Sequence, residues 1–386
     1  MAESLPSTRA HLPASGLLAA RHARIRQRLS ALRLDALIVT CAPNIRYLSN
    51  HVGSAGVLVV TRDGLHLLVD FRYGEAVRLL QQSPGACPGL VVQDVPASYD
   101  EALLSCLEKL DALNVGFEAA HVPVATHARW RHMAETQHVD VTFALTEALV
   151  EEARAVKDSF EIATLREAAA RLTSVAASAF DAVRAGETEQ VVAGMIDAAI
   201  RDAGYERPAF DTIVASGPNA ALPHHHPGDR VLADGDLVVL DFGGMLDGYC
   251  CDLTRMVSLG PPSSETRRLY DAVYDAHQTA IAAIRPGVES TAVDAAARSL
   301  LHERGLGEAF GHGTGHGLGL DVHELPRVSR DRADVASVVL EPGMVFTVEP
   351  GAYIPGVGGV RIEDDVVVTE TGCDVLTTVP HGLHTR

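Results

Sequence analysis

Two kinds of apolar patterning alternate along this chain. Residues 16–34 read as a basic helix, with arginines from Arg21 to Arg33, and the apolar run Ala36–Val39 that follows predicts a short strand. Val57–Val60 and Leu65–Asp70 flank Asp63-Gly64, a dipeptide suited to a tight turn, and predict a hairpin. Strand and helix patterns keep alternating to about residue 145, with amphipathic helical spacing at 74–82 and 99–112, which predicts a compact α/β domain over 16–150. Residues 147–157 form the expected junction. Beyond it the pattern changes. Long helices are predicted at 158–185 and 263–284, each followed by glycine and a second helix, at 188–203 and 290–305. That matching order predicts two related halves within residues 151–386.

Each half carries a pair of strand-like runs with acids in them. In the first, Leu237–Gly243 and Tyr249–Arg255 flank Asp247-Gly248, a strong hairpin signal. A two-residue turn there sets Leu246 against Tyr249 and Gly243 against Asp252, so that Asp241 and Asp252 become diagonal cross-strand neighbours. Two carboxylates that close cannot both stay ionised unless a cation lies between them, or one holds a proton. Two solvated edge-strand acids are the alternative reading. In the second half, Val345–Ile354 and Gly359–Thr369 carry Glu349 and Glu363, and Asp234–Gly243 aligns with Pro342–Gly351 at an offset of 108 residues, placing Glu349 where Asp241 lies. Four ionised acids facing one centre would be neutralised by two divalent cations but not by one.

Between the hairpins lies the glycine-rich stretch Phe310–Pro326 with His312, His316 and His323. Imidazole is a common metal ligand and proton carrier, and glycine lets the backbone approach a ligand closely. A phosphate-binding loop is the competing reading, but no Lys or Arg occurs from 305 to 326 and the Gly-Lys-Ser/Thr context is missing.

Composition sets limits. The chain has 386 residues, enough for two domains, and its 47% hydrophobic content supports substantial cores. A formal charge of −18 argues against nucleic acid as partner. Cysteines 41, 87, 106, 250, 251 and 373 show neither metal-knuckle spacing nor a disulfide framework, which predicts a reducing, cytoplasmic setting. No apolar run approaches membrane-spanning length, and residues 1–15 read as a flexible leader without the order of a secretory signal.

The blocks Ala209–Gly217, Ala221–His224, Asp241 with Asp252, Gly315–Pro326, Val348–Gly351 and Val360–Asp364 resemble those of the M24 metallopeptidases, specifically the small bacterial Xaa-Pro aminopeptidases and prolidases. The resemblance implies an α+β fold: a pita-bread catalytic domain of pseudo-twofold symmetry over 151–386, behind a smaller creatinase-like domain. It also implies a dinuclear metal centre, with Asp241 chelating one ion, Asp252 and Glu363 bridging both, and His316 and Glu349 completing the other. An oxygen-rich set with one imidazole favours Mn2+, with Co2+ or Zn2+ as alternatives. The implied activity is hydrolysis of the bond before a proline in second position, by a hydroxide generated between the metals.

Glu349 matches the family's proton shuttle, His224 and His323 its substrate-side histidines, and His312 a histidine of the proline pocket. Arg361, assigned the opposite strand phase from Glu363, matches an arginine that braces the site. Aminopeptidase action is the favoured expectation. An Xaa-Pro dipeptidase is the alternative, and a creatinase-like hydrolase or metal-dependent lyase is less favoured. His225 and His226 read as solvated loop residues. Strand alternation puts Cys250 on the metal face and Cys251 behind it, both as small buried residues.

Asn44–Leu48, Gly53–Gly56 and Asp70–Tyr73 resemble segments of the creatinase N-terminal domain. In that family the domain makes homodimer or homotetramer contacts and roofs the site. Arg46, Tyr47 and His51 are therefore candidates to approach substrate in a neighbouring subunit, with local packing as the other reading.

Overall fold

Apolar runs too short for helices assemble into one six-stranded sheet in the first of two units, Met1–Arg154 and Ala155–Arg386, of the computed structural model, which describes residues 12–331 and 337–386. The strand order is Leu90–Asp94, Leu65–Val69, Val57–Thr61, Ala36–Val39, Asn114–Glu118, Thr142–Thr146. Ala36–Val39 is buried throughout, antiparallel to Val57–Thr61 and parallel to Asn114–Glu118. The predicted Asp63-Gly64 hairpin forms with Val60 opposite Leu65. Ile38, Val59, Leu68, Phe117 and Trp130 meet in this unit's core. The first helix runs Ser15–Ala31 rather than over 16–34, because Leu32 ends it and Arg33 takes a positive φ. Most of the expected leader, residues 1–11, lies outside the described residues. Tyr47 and His51 are buried within this unit, Tyr47 donating to the Ala153 carbonyl at 3.1 Å and His51 edge-on to Tyr73, so packing accounts for both.

The second unit follows one plan twice. Ser159–Ala182 starts at Asp158, whose carboxylate caps the helix while Glu161 reaches back to the cap, and Glu189–Asp202 follows it. Leu172, Val175, Val192, Ile196 and Ile200 of this helix pair pack on Val238, Leu240 and Leu253 of the first hairpin. Ser264–Ala283 and Ser290–Glu303 repeat the pair, with Val273, Ala276, Val293 and Ala297 packed on Phe346, Val348 and Val366 of the second hairpin. No helix among the described residues is long and apolar enough to cross a membrane.

The hairpin registers fix where the acids fall. Asp247 and Gly248 both have positive φ, 47° and 78°, as a primed two-residue turn requires, and Leu246 pairs with Tyr249. The same register continues to Phe242 opposite Leu253 and Asp241 opposite Thr254. In the second hairpin Val348 pairs with Asp364 and Gly351 with Arg361, so Glu349 falls opposite Glu363. The two halves therefore differ in detail. Thr254 occupies the position facing Asp241, and its acid, Asp252, lies two residues away.

Candidate metal centre

Asp241 is the penultimate residue of the buried strand Leu237–Phe242, and Asp252 immediately precedes its partner Leu253–Ser258. Close approach of these strands depends on Gly243, where an added Cβ would lie 2.0 Å from the Cys251 carbonyl oxygen. His316 sits in Gly315–Gly317, a strand held so near its neighbour that a Cβ on Gly315 would lie 1.8 Å from the Thr347 carbonyl oxygen. Glycine is thus required at both places.

These elements bring ligand atoms of Asp252, His316 and Glu363 within 4.8 Å of one another. Glu349 joins them, its Oε1 3.4 Å from His316 Nε2, while Asp252 Oδ2 lies 4.0 Å from the same nitrogen. His316 Nδ1 lies 3.1 Å from the Gly317 carbonyl, which fixes the proton there and leaves the Nε2 lone pair facing the acids. Asp241 is reached differently. Its Oδ2 accepts from the Arg361 guanidinium, while its Oδ1, like Asp252 Oδ1, is buried with no hydrogen-bond partner among the described residues.

The electrostatics follow from this crowding. Burial, then the charges of Glu363 and Asp241, push the Asp252 carboxyl well above its ordinary range. Glu363 is likewise raised, by burial and by Glu349 and Asp241. Glu349 is pushed up to about 7, with burial as the largest cause. Burial, helped by His323, lowers His316 to about 3, so the imidazole is neutral and available as a ligand. Orphaned buried carboxylate oxygens, mutual repulsion and a neutral imidazole with a free lone pair are the features of a donor set that fits divalent metal.

Arg361 faces this cluster. Residues two apart on a strand share a face, so the expected opposite phase from Glu363 is corrected. Besides Asp241, Arg361 Nε donates to Thr254 Oγ1 at 3.1 Å, and its NH1 donates to Tyr353 Oη at 2.9 Å and to the Pro223 carbonyl at 3.3 Å. Thr254 in turn donates to Glu363 Oε2 at 2.6 Å. His312 Nδ1 is satisfied by the Gly313 carbonyl at 2.7 Å, leaving Nε2 to accept from Tyr353 Oη at 3.0 Å. Burial lowers His312 to about 4, consistent with that neutral tautomer. His323 stands against His316, ring centroids 4.3 Å apart. His224 is exposed at the end of the Pro223 loop. Tyr353 and Thr254 were missed from sequence, since neither belongs to an acid or histidine pattern.

His225 is not a solvated loop residue. Its Nε2 lies 2.7 Å from Glu189, whose buried carboxylate also accepts from Ser216 N and Oγ and from Asn219 Nδ2. His226 is exposed, as expected. Glu189 thus ties down the loop that presents His224, which Arg361 also holds through the Pro223 carbonyl. Glu189→Gln places an amide donor among these donors, and the catalytic efficiency of the metal-loaded protein is expected to fall about 10- to 100-fold at unchanged metal content. Unchanged kcat/KM would separate Glu189 from the site. Cys250 and Cys251 are both buried thiols, burial pushing Cys250 up to about 12 and Cys251 well above its ordinary value. Neither is a thiolate in this environment.

Residues 163–370 match the model of metallopeptidase family M24, and residues 21–156 match that of the creatinase/prolidase N-terminal domain. The chain is 36% identical over 360 residues to an uncharacterized peptidase, YqhT, of Bacillus subtilis, covering 93% of this chain and 98% of the relative. Among solved structures it is similar to an Xaa-Pro dipeptidase from Bacillus anthracis, with TM-score 0.88, 34% identity and coverage of 96% of this chain and 100% of that one. A prolidase from Pyrococcus horikoshii gives TM-score 0.85 at 30% identity over 94% of this chain and 99% of that one. An X-Pro aminopeptidase from Thermotoga maritima gives 0.82 at 33% identity over 93% and 100%.

Proposed function

Because the chain belongs to metallopeptidase family M24 and carries the family's creatinase/prolidase N-terminal domain, we propose that it is a metal-dependent Xaa-Pro dipeptidase. The observation that carries the metal-dependent hydrolase is the buried convergence of Asp252, His316 and Glu363, with Glu349 and Asp241 beside them. Dipeptidase is preferred to the aminopeptidase expected from sequence because an Xaa-Pro dipeptidase and three prolidases stand among the similar structures. The aminopeptidase remains the second reading, supported by the likeness to the Thermotoga enzyme.

In this reading Asp241, Asp252, His316, Glu349 and Glu363 hold two divalent ions, with Mn2+ favoured by the oxygen-rich donors. When bound, such ions lower the pKa of water toward neutrality and polarise the scissile carbonyl. Each residue then has a defined task. Glu349 is the carboxylate that carries a proton from the attacking water to the leaving proline nitrogen. His224 and His323 donate to the carbonyl oxygen as it gains charge. Arg361 fixes Asp241 and Tyr353, and Tyr353 in turn orients His312 at the proline side.

Turnover of Ala-Pro and Ala-Pro-Ala by the Mn2+-loaded protein tests the assignment. Ala-Pro is expected to be cleaved at least about tenfold faster, since a dipeptidase uses binding energy from both chain ends in the transition state. Faster cleavage of the tripeptide would establish the aminopeptidase instead. No cleavage of either would remove the Xaa-Pro assignment.

A further inference from the structure

The first unit holds a second group of ligand-type side chains, unrelated to the acids above. Cys41 Sγ, a ring nitrogen of His121 and a carboxylate oxygen of Glu151 all lie within 4.8 Å of one another. Cys41 is buried, the His121 side chain is 41% exposed and that of Glu151 27%, so the group opens to solvent on the imidazole side. His121 Nε2 lies 3.4 Å from Glu151 Oε1. Two ligands each about 2.0–2.1 Å from one ion at the tetrahedral angle stand about 3.3–3.4 Å apart, so the existing separation already matches a zinc-type site.

The surroundings hold these side chains in place. Cys41 is the N-cap of the helix Ala42–Ser49, and its N–H donates to the Glu118 carboxylate at 2.8 Å. Glu151 Oε1 accepts from Asn44 Nδ2 at 2.7 Å, and Asn44 Oδ1 accepts from Arg154 at 2.7 Å, so the carboxylate is oriented by an outer partner that is itself fixed. Charge also balances. A thiolate, a carboxylate and a neutral imidazole neutralise one divalent ion. A third group, His277, Asp364 and His381, does not qualify in this way, because Arg255 already pairs with Asp364 at 2.7 Å.

We propose that Cys41, His121 and Glu151 form a second, mononuclear metal site in the N-terminal unit, selective for a zinc-class ion and distinct from the hydrolytic centre. Its thiolate ligand separates it from the oxygen-rich centre by metal preference. The Cys41 proton passes to solvent on binding, and water takes the fourth position.

The test uses Co2+ as a zinc surrogate on the metal-stripped full-length protein. A thiolate ligand gives Co2+ a near-ultraviolet charge-transfer band that oxygen and nitrogen donors do not. The band is expected to saturate at the intensity of one Co2+–thiolate site per chain, to be absent in Cys41→Ser, to need at least tenfold more Co2+ in His121→Ala, and to persist in Cys250→Ser. Absence of the band in the wild type, or its survival in Cys41→Ser, would overturn the proposal. Since His121 is exposed, its variant keeps the test valid should Cys41→Ser fail to fold. Xaa-Pro turnover does not enter the readout, so the outcome is independent of the function proposed above.

Discussion

Glu363→Ala is expected to abolish tight metal binding at the hydrolytic centre and to lower Xaa-Pro turnover by well over a hundredfold. Loss of partners that merely orient a ligand costs about 10- to 100-fold, and Glu363 is itself one of the three converging donors. A second, opposite effect should accompany it. In the metal-stripped protein Glu363 is a buried acid whose pKa is raised above the ordinary 4.5 by burial and by neighbouring acids. Below that ordinary value both folded and unfolded forms are protonated and no penalty arises. As pH rises above it, the unfolded chain releases a proton that the folded protein retains, so folding stability falls until the folded pKa is passed. Asp252 acts in the same direction. The stripped wild type should therefore melt lower at pH 8 than at pH 5, and the stripped Glu363→Ala variant should show a smaller loss. Thermal melts at the two pH values, with metal analysis, check both parts. Equal pH slopes would contradict the repulsive cluster, and undiminished turnover would contradict the metal mechanism.

The second large effect lies behind the centre. Arg255 is almost fully buried, donates from NH2 to Asp364 Oδ1 and to the Val379 carbonyl, both at 2.7 Å, and also binds the Glu363 and Pro380 carbonyls. Burial alone would raise the Asp364 carboxyl, but His277, His381 and Arg255 outweigh it and hold it well below the usual range. Arg255 thus joins the C-terminal segment to the strand that follows Glu363. Arg255→Met leaves a buried carboxylate without its main counter-charge, a loss of about 3–5 kcal/mol. For a unit of this size that lowers Tm by roughly 6–20 °C. Adding Asp364→Leu should restore much of the loss, since removing both charges is far less costly than removing one. A single-variant loss below about 1 kcal/mol, or no recovery in the double variant, would show that the pair is not structurally important.

Much of the second unit was legible because its determinants are local. Asp247-Gly248 fixes a primed turn, the turn fixes the register, and the register sets Asp241 diagonal to Asp252. The repeated helix pairs were readable from spacing, and glycine density marked where His316 approaches the acids. What escaped depends on contacts between distant segments. Nothing near Tyr353 announces that its hydroxyl links Arg361 to His312, and nothing near Glu189 announces that it binds His225. Thr254 faces Asp241 through a register difference between the two halves, which an offset of 108 residues conceals. Cys41, His121 and Glu151 are brought together by the ends of different strands and helices, so no ligand spacing shows along the chain.

The proposed hydrolytic centre holds two metals on three buried carboxylates, the half-buried Glu349 and one imidazole. The most direct test is a titration of the metal-stripped full-length protein with Mn2+ while Ala-Pro hydrolysis is followed. Turnover should be absent at the start, should rise with added metal, and should saturate at two tightly bound Mn2+ per chain. Hydrolysis before any metal is added, or saturated binding without hydrolysis, would contradict it.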